Sequence, residues 1–179
     1  TDPRNRPMSA RFARLGCIAA PLLLAACSST PDYDGGFAAP RVLNDHVECV
    51  PFARAESGVE LFGDAHTWWD QADGLYERES EPEEGAVMVL RGYKRSDRGH
   101  VAVVRRVVSD REIVIDHANW LNDGKVYLDQ PVLDVSEDND WSAVRVWYAP
   151  GGQYGARVYA VQGFILPHGR FAGAQTARN

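Results

Sequence analysis

Two residues of this sequence, Cys49 and His100, have types and surroundings suited to nucleophilic catalysis. Cys49 opens the segment Cys-Val-Pro-Phe-Ala-Arg, in which Pro51 occupies a position that the first turn of a helix tolerates. Gly58 provides a stop for that helix, because glycine adopts a left-handed backbone at little cost. The thiol would lie among the free N–H groups at the helix start, where its pKa is expected to fall and the thiolate to be favoured. The pattern predicts a cysteine nucleophile, and the alternative is a cysteine that acts as a small buried hydrophobe.

His100 supplies the base that such a nucleophile needs. It opens the apolar segment His-Val-Ala-Val-Val, which predicts a strand, and it follows a predicted flexible loop at Ser96–Gly99. A catalytic cysteine needs an adjacent base, and the base needs a third group that fixes its tautomer. The pair therefore predicts hydrolysis by acyl transfer, with His100 protonating the leaving amine and then activating water.

Short segments of the sequence occur in an order that resembles the CHAP family (cysteine, histidine-dependent amidohydrolases/peptidases) of the papain-like superfamily. The resemblance runs from about Val47 to Trp147. Its motifs are Cys49-Val-Pro-Phe-Ala-Arg, Gly63-Asp-Ala-His-Thr-Trp-Trp, Gly85-Ala-Val-Met-Val, Gly99-His-Val-Ala-Val-Val and His117-Ala-Asn-Trp. The resemblance implies an α+β, papain-like fold in which short N-terminal helices pack on an antiparallel sheet or open barrel.

The predicted hairpin after His100 bears on the third catalytic residue. A two-residue turn at Ser109-Asp110 would pair Val108 with Arg111 and, further along, His100 with Asn119.

Because alternate residues of a strand share a face, this register puts His117 and Asn119 on the face of His100 and turns Asp116 away. The CHAP family commonly has a carboxylate at the position of His117, whereas histidine fills the orienting role in related papain-like families. Asn119 is the competing candidate. A one-residue bulge would exchange the faces and favour Asp116 instead.

Further residues are candidates for the substrate cleft. Trp68, Trp69 and Trp120 could bind substrate, Trp68 and Trp69 by stacking on sugar, although helical spacing also fits core packing. The backbone N–H of Cys49 would hold the oxyanion, with His46 or Asn44 as a guess for the second donor.

The sequence predicts neither a metal nor a cofactor. Its five histidines have no spacing typical of zinc ligands: His46, His66, His100, His117 and His168.

The first 27 residues have the pattern of a lipoprotein signal. Two arginines, Arg11 and Arg14, precede a nearly uncharged run that ends in Leu-Ala-Ala-Cys27. This ending resembles the lipobox of bacterial lipoproteins, which implies lipidation of Cys27, and Ser28 resembles an outer-membrane sorting signal. The alternatives are an ordinary cleaved signal and a cytosolic protein with an apolar first helix. Residues 1–7 precede this pattern without an initiating methionine, and we set them aside as a misassigned start or non-native residues.

The remaining chain is expected to form one domain, preceded by a flexible tether and followed by a disordered tail. Residues 28–44 are a predicted tether, 45–168 the CHAP-like domain and 169–179 a disordered tail. The formal net charge of −6 argues against nucleic acid as a partner. Nothing in the sequence indicates the oligomeric state.

Predicted helices come first and strands follow, which favours an α+β fold. The helices begin at Cys49 and Asp64, and the second ends at Gly74, before an exposed acidic loop at 77–84. The strands are expected at 86–90, 100–108, 111–117, 125–128, 132–135, 142–148 and 158–166.

The resemblance implies a cell-wall enzyme. The expected function is peptidoglycan hydrolysis at an amide bond, as a muramoyl-L-alanine amidase or a stem-peptide endopeptidase, in a lipoprotein anchored in the outer membrane and facing the periplasm of a Gram-negative bacterium. The alternative is a lipoprotein that binds peptidoglycan or a partner protein without cleaving it.

Overall fold

The computed structural model describes residues 38–92 and 98–167 of the chain. The predicted lipoprotein signal with Cys27, most of the tether, part of the loop before His100 and the tail with His168 lie outside the described residues. In the described part, no helix is long and apolar enough to cross a membrane.

The described residues contain two short α-helices followed by a mainly antiparallel sheet. The helices are α1 (Cys49–Ser57) and α2 (Trp68–Gln71), with a 3-10 turn at Ala65–Thr67 before α2 and another at Ala149–Gly151. The strands are β1 (Arg41–Leu43), β2 (Glu77–Glu79), β3 (Val87–Leu90), β4 (His100–Ser109), β5 (Glu112–Ala118), β6 (Val126–Asp134), β7 (Ala143–Tyr148), β8 (Gln153–Tyr154) and β9 (Tyr159–Leu166).

Six of these strands close into a barrel. Neighbours pair in the order β6-β5-β4-β3-β9-β7, and β7 pairs back with β6. The three remaining strands extend the sheet beside β6, β9 and β7: β1, β2 and β8. The predicted α+β class is confirmed, and the sheet is a closed barrel.

Three segments differ from the sequence prediction. Residues 41–43 of the predicted tether form β1 against β6, and part of the predicted acidic loop forms β2 against β9. The two strands expected at 125–128 and 132–135 are one strand, β6. Asp129, with a left-handed backbone (φ 55°), lies at a bulge of this strand two residues before Pro131, which pairs with Val114.

Alternation along the strands creates two apolar layers. One side chain set fills the barrel interior, including Met88, Ala102 and Ile115. The opposite set, including Val89 and Val101, packs against the helical segments. The helices therefore lie on the outside of the barrel.

Candidate active site

The cysteine lies at the start of α1 because the local sequence sets both ends of that helix. Cys49 is its first residue, and Gly58 ends it with a left-handed backbone (φ 74°) and an N–H that donates to the carbonyl of Arg54. Phe52 and Ala53 bury the other face of the helix. Cys49 itself is half-buried.

The thiol is less acidic than its place at a helix start predicts. Burial raises the pKa of Cys49, and the neighbouring carboxylate of Glu48 raises it further. The backbone N–H groups of Val101, Val50 and Cys49 act in the opposite direction without outweighing burial. The predicted low pKa is therefore wrong for this structure, because the desolvation of the thiol exceeds the effect of the helix amides.

A close backbone contact fixes the start of the strand that bears the histidine. Gly99 has a left-handed backbone (φ 73°), and a Cβ there would lie 2.8 Å from the backbone nitrogen of His66. That nitrogen donates to the carbonyl of Arg98 at 2.9 Å, and the Arg98 Nε donates to Asp64 at 2.7 Å. The Gly-Asp-Ala-His segment of the sequence thus docks directly against the residues that precede His100 in the chain.

His100 contacts a second histidine. Its Nε2 lies 3.0 Å from the Nδ1 of His117, within a hydrogen bond. Val103 pairs with Asp116 and Val104 with Ile115, the register that the sequence predicted near the site. The two imidazoles therefore meet on the face of the barrel interior, as expected.

Both imidazoles are neutral. Burial lowers the pKa of His100 to about 3, and burial together with the neighbouring His100 lowers the pKa of His117 well below its usual value. The side chain of His117 is fully buried, and its Nε2 has no hydrogen-bond partner among the described residues.

The two other candidates for the third residue point elsewhere. Asp116 accepts hydrogen bonds from the Arg105 Nε and from the backbone nitrogen of Asp129 on the opposite face. Asn119 donates from Nδ2 to Glu48 and accepts from the backbone nitrogen of Gly124. Of the three candidates, His117 is the one hydrogen-bonded to His100.

Cys49 and His100 line the same cleft, whose volume is about 1070 Å³. Trp120 and Tyr159 form an aromatic wall beside them, with ring centroids 5.0 Å apart. The Trp120 ring also contacts His100, at 4.8 Å between centroids. Trp120 thus lines the cleft, and its role in substrate binding stays a prediction.

The paired tryptophans do not fit the substrate-binding role considered for them. Trp68 is fully buried in the layer between helices and barrel. Trp69 packs so closely on Gly163 that a Cβ there would lie 2.3 Å from its ring, while Arg78 covers the ring at 4.9 Å. Neither side chain lines the cleft, because the core takes up the apolar face of the short helical segment.

Of the two guesses for a second oxyanion donor, His46 lines the cleft and Asn44 is an exposed residue that does not. His46 packs on Gly124, where a Cβ would lie 3.3 Å from its Nδ1.

Sequence reasoning missed the charged side chains of the cleft. Glu48 and three arginines belong to its lining: Arg91, Arg98 and Arg157. Glu48 directly precedes Cys49, the predicted nucleophile, and this is the one signal that could have pointed to it. Arg91 and Arg98 lie in the same connection between β3 and β4, whereas Arg157 precedes β9, so only the fold brings Arg157 to the other two.

Metal ligands are not gathered in the described residues, where no three His, Cys, Asp or Glu side chains are placed to hold an ion.

Comparisons with known proteins found the following similarities. A crystal structure of an N-acetylmuramoyl-L-alanine amidase from Staphylococcus aureus matches with 22% sequence identity and a TM-score of 0.39, over 65% of this chain and 30% of that one. The chain thus corresponds to less than a third of that amidase. No curated protein matches. The model of the CHAP domain family matches residues 42–119, just under half of the chain and the part that carries Cys49, His100 and His117.

Proposed function

We propose that this protein is a peptidoglycan hydrolase that cleaves an amide bond with Cys49 as nucleophile and His100 as base. The observation that carries the proposal is the shared cleft of Cys49 and His100, with His117 hydrogen-bonded behind His100. The match of residues 42–119 to the CHAP family supports the same reaction class.

Cys49 and His100 start the reaction as a neutral thiol and a neutral imidazole, and this decides when the proton moves. Because His100 Nε2 faces His117, Nδ1 is the ring nitrogen left to take the thiol proton. Proton transfer accompanies the attack of sulfur on the carbonyl carbon, since the pKa of the thiol is raised and that of His100 is lowered. The imidazolium then protonates the leaving amine, and neutral His100 activates the water that hydrolyses the thioester.

His117 orients the base in this mechanism. When it accepts the Nε2–H of His100, the reactive Nδ1 is left unprotonated. The same tautomer puts the proton of His117 on its Nε2, which has no partner among the described residues. A buried N–H without an acceptor costs about 1–3 kcal/mol, so this arrangement opposes the productive tautomer to that extent.

The tetrahedral intermediate needs donors for its oxyanion. The Cys49 backbone N–H lies in the first turn of α1 and has no intrahelical acceptor, so it is available. His46, on the same cleft, is our candidate for the second donor.

Digestion of purified sacculi tests the hydrolase directly. The wild-type protein should release soluble fragments, and Cys49→Ala and Cys49→Ser should fold normally and release none. Mass spectrometry of the fragments decides between the muramoyl–L-alanine amide and a peptide bond of the stem. Degradation by Cys49→Ala at the wild-type rate would contradict the proposal.

A second candidate function is peptidoglycan or partner binding without turnover. The raised pKa of Cys49 favours it, as does the lack of a carboxylate beside His100 in the part of the chain that the structure describes. A thiol-directed amide probe separates the two functions: an enzyme forms the covalent adduct at Cys49, whereas a binding protein retains sacculi and leaves the probe unreacted.

We further propose that the protein is a lipoprotein attached through Cys27 to the outer membrane and facing the periplasm. The lipobox-like Leu-Ala-Ala-Cys27 followed by Ser28 supports this proposal. Membrane fractionation should find the native protein with membranes and Cys27→Ala released or unprocessed. A soluble native protein whose first residue carries no acyl chain would contradict it.

A further inference from the structure

The carboxylates that line the cleft differ in how their charge is balanced. Asp64 is paired with Arg98 at 2.7 Å, and Asp123 lies 3.4 Å from the ammonium of Lys125 and accepts the Tyr127 hydroxyl. Glu48 also lines the cleft, yet no cation of the described residues lies within 4 Å of its carboxylate. It is the unbalanced anion among these three.

The Glu48 carboxylate is held in place. Its Oε2 accepts a 2.7 Å hydrogen bond from the Nδ2 of Asn119. Asn119 is fixed in turn, because its Oδ1 accepts the backbone N–H of Gly124 at 2.8 Å and its own backbone is left-handed (φ 57°). The charge is therefore kept at the cleft wall, and no hydrogen bond among the described residues engages its Oε1.

This position is costly for the reaction. Glu48 directly precedes the nucleophile, and its charge opposes formation of the thiolate at Cys49. Asp64 accepts the hydrogen bond of the Arg98 Nε and has the largest effect in raising the pKa of Arg98. The charges of Glu48 and Cys49 also help to raise that pKa, but by less. A positive group brought by the substrate would cancel the opposition of Glu48 at the moment of binding.

We propose that Glu48 binds an ammonium group of the substrate close to the scissile amide. The inference rests on the proposed function and narrows it to amide substrates with a free amine beside the cleaved bond. A single carboxylate with one oxygen already engaged suits a compact ammonium better than the two-pronged guanidinium fork. It is also too small a donor set for a divalent metal, which takes several oxygen ligands.

A matched pair of stem peptides tests the subsite. The two substrates are identical except that the side-chain amine of the diamino acid is free in one and acetylated in the other. Wild-type protein should cleave the free-amine peptide with a kcat/KM about fivefold higher or more, as expected for one ion pair at contact distance in water. Glu48→Gln, which keeps an oxygen for Asn119, should reduce the preference to less than about twofold.

Asp45→Asn is the matched control. It removes the same charge three residues earlier, from an exposed side chain that is not part of the cleft lining, and should retain the wild-type preference. Glu48→Gln should also be alkylated at Cys49 faster than wild type at neutral pH, whereas Asp45→Asn should not.

The outcomes separate this inference from the proposed function. Wild-type cleavage of both peptides at equal rates, or an unchanged preference in Glu48→Gln, overturns the ammonium subsite and leaves the hydrolase intact. If wild type cleaves neither peptide, digestion of sacculi decides the hydrolase proposal, and equilibrium binding to Cys49→Ala decides the subsite. Equal affinity of Cys49→Ala and of the Cys49→Ala, Glu48→Gln double variant for the free-amine peptide would then overturn it.

Discussion

The two faces of the β4–β5 hairpin bury different kinds of titratable group. On one face, Asp116 is a buried carboxylate with the Arg105 guanidinium and a backbone N–H as partners. On the other, His100 and His117 are buried imidazoles bonded only to each other among the charged and titratable groups of the described residues. One face therefore carries an ion pair, and the other carries two neutral imidazoles.

Strand alternation explains why no carboxylate of the hairpin lies beside His100, the proposed base. Asp116 immediately precedes His117 in the chain, but adjacent residues of a strand point to opposite faces. The Asp116 carboxylate instead forms an ion pair with Arg105, which also pairs with Glu56. What remains for His100 is a neutral acceptor, which orients it without stabilising its charge.

The largest expected effect is the loss of the base on the neutral face. His100→Ala should lower kcat by about 10⁴-fold or more, because attack and leaving-group protonation both pass through this ring. Turnover of a soluble stem-peptide substrate measures it, with circular dichroism to verify folding. Residual activity near that of wild type would move the base to another residue.

His117→Ala should lower kcat by about 10²-fold with little change in KM, because it frees the ring of His100 to adopt the unproductive tautomer. His117→Asn should recover part of the loss, since its amide oxygen can accept the Nε2–H without leaving a buried imidazole N–H unpaired.

His117→Glu should retain activity and raise the pKa of His100, because a carboxylate stabilises the imidazolium. The pH profile of kcat records that shift. A purely structural role for His117 would give equal losses in all three variants and no change in the profile.

Asp116→Asn, on the face of the Arg105–Asp116 ion pair, should have the opposite effect, lowering stability and leaving activity nearly unchanged. We expect kcat/KM within about threefold of wild type and a free energy of unfolding lowered by about 1–3 kcal/mol, because Arg105 loses its buried charged partner. Chemical denaturation measures the second quantity. If the variant instead loses activity at full stability, Asp116 acts on the base and our assignment of the two faces is wrong.

The stability of the protein should also depend on pH, with no effect on turnover at neutral pH. The folded pKa of His100 is about 3, below its usual value, so the unfolded chain binds more protons between that pH and about 6.5. Stability should therefore rise as the pH increases across this window and level off above it. Each buried histidine contributes up to about 1.4 kcal/mol per pH unit, so His117→Asn should have the shallower slope in denaturation series.

The predicted register near the site was correct although the predicted turn was not. The turn lies at Asp110-Arg111, between Ser109 and Glu112, one position later than expected. Two bulges in β4, between Val104 and Arg106 and between Val107 and Ser109, then restore the predicted pairing. A turn one position later shifts the pairing by two residues. Each bulge adds one residue to β4 without a partner in β5, so the two bulges together cancel that shift.

The sequence by itself determined the α+β class, the helix that begins at Cys49, the strand that begins at His100 and the shared face of His100 and His117. These features follow from local rules: glycine and proline at helix ends, and the alternation of side chains along a strand.

Only the tertiary structure decided the barrel closure, the core position of Trp68, the raised pKa of Cys49 and the bond between Asn119 and Glu48. Barrel closure and the Asn119–Glu48 bond join residues far apart in the chain. Burial likewise depends on residues from several elements that pack over a group, so it cannot be read from the spacing of residues in the sequence.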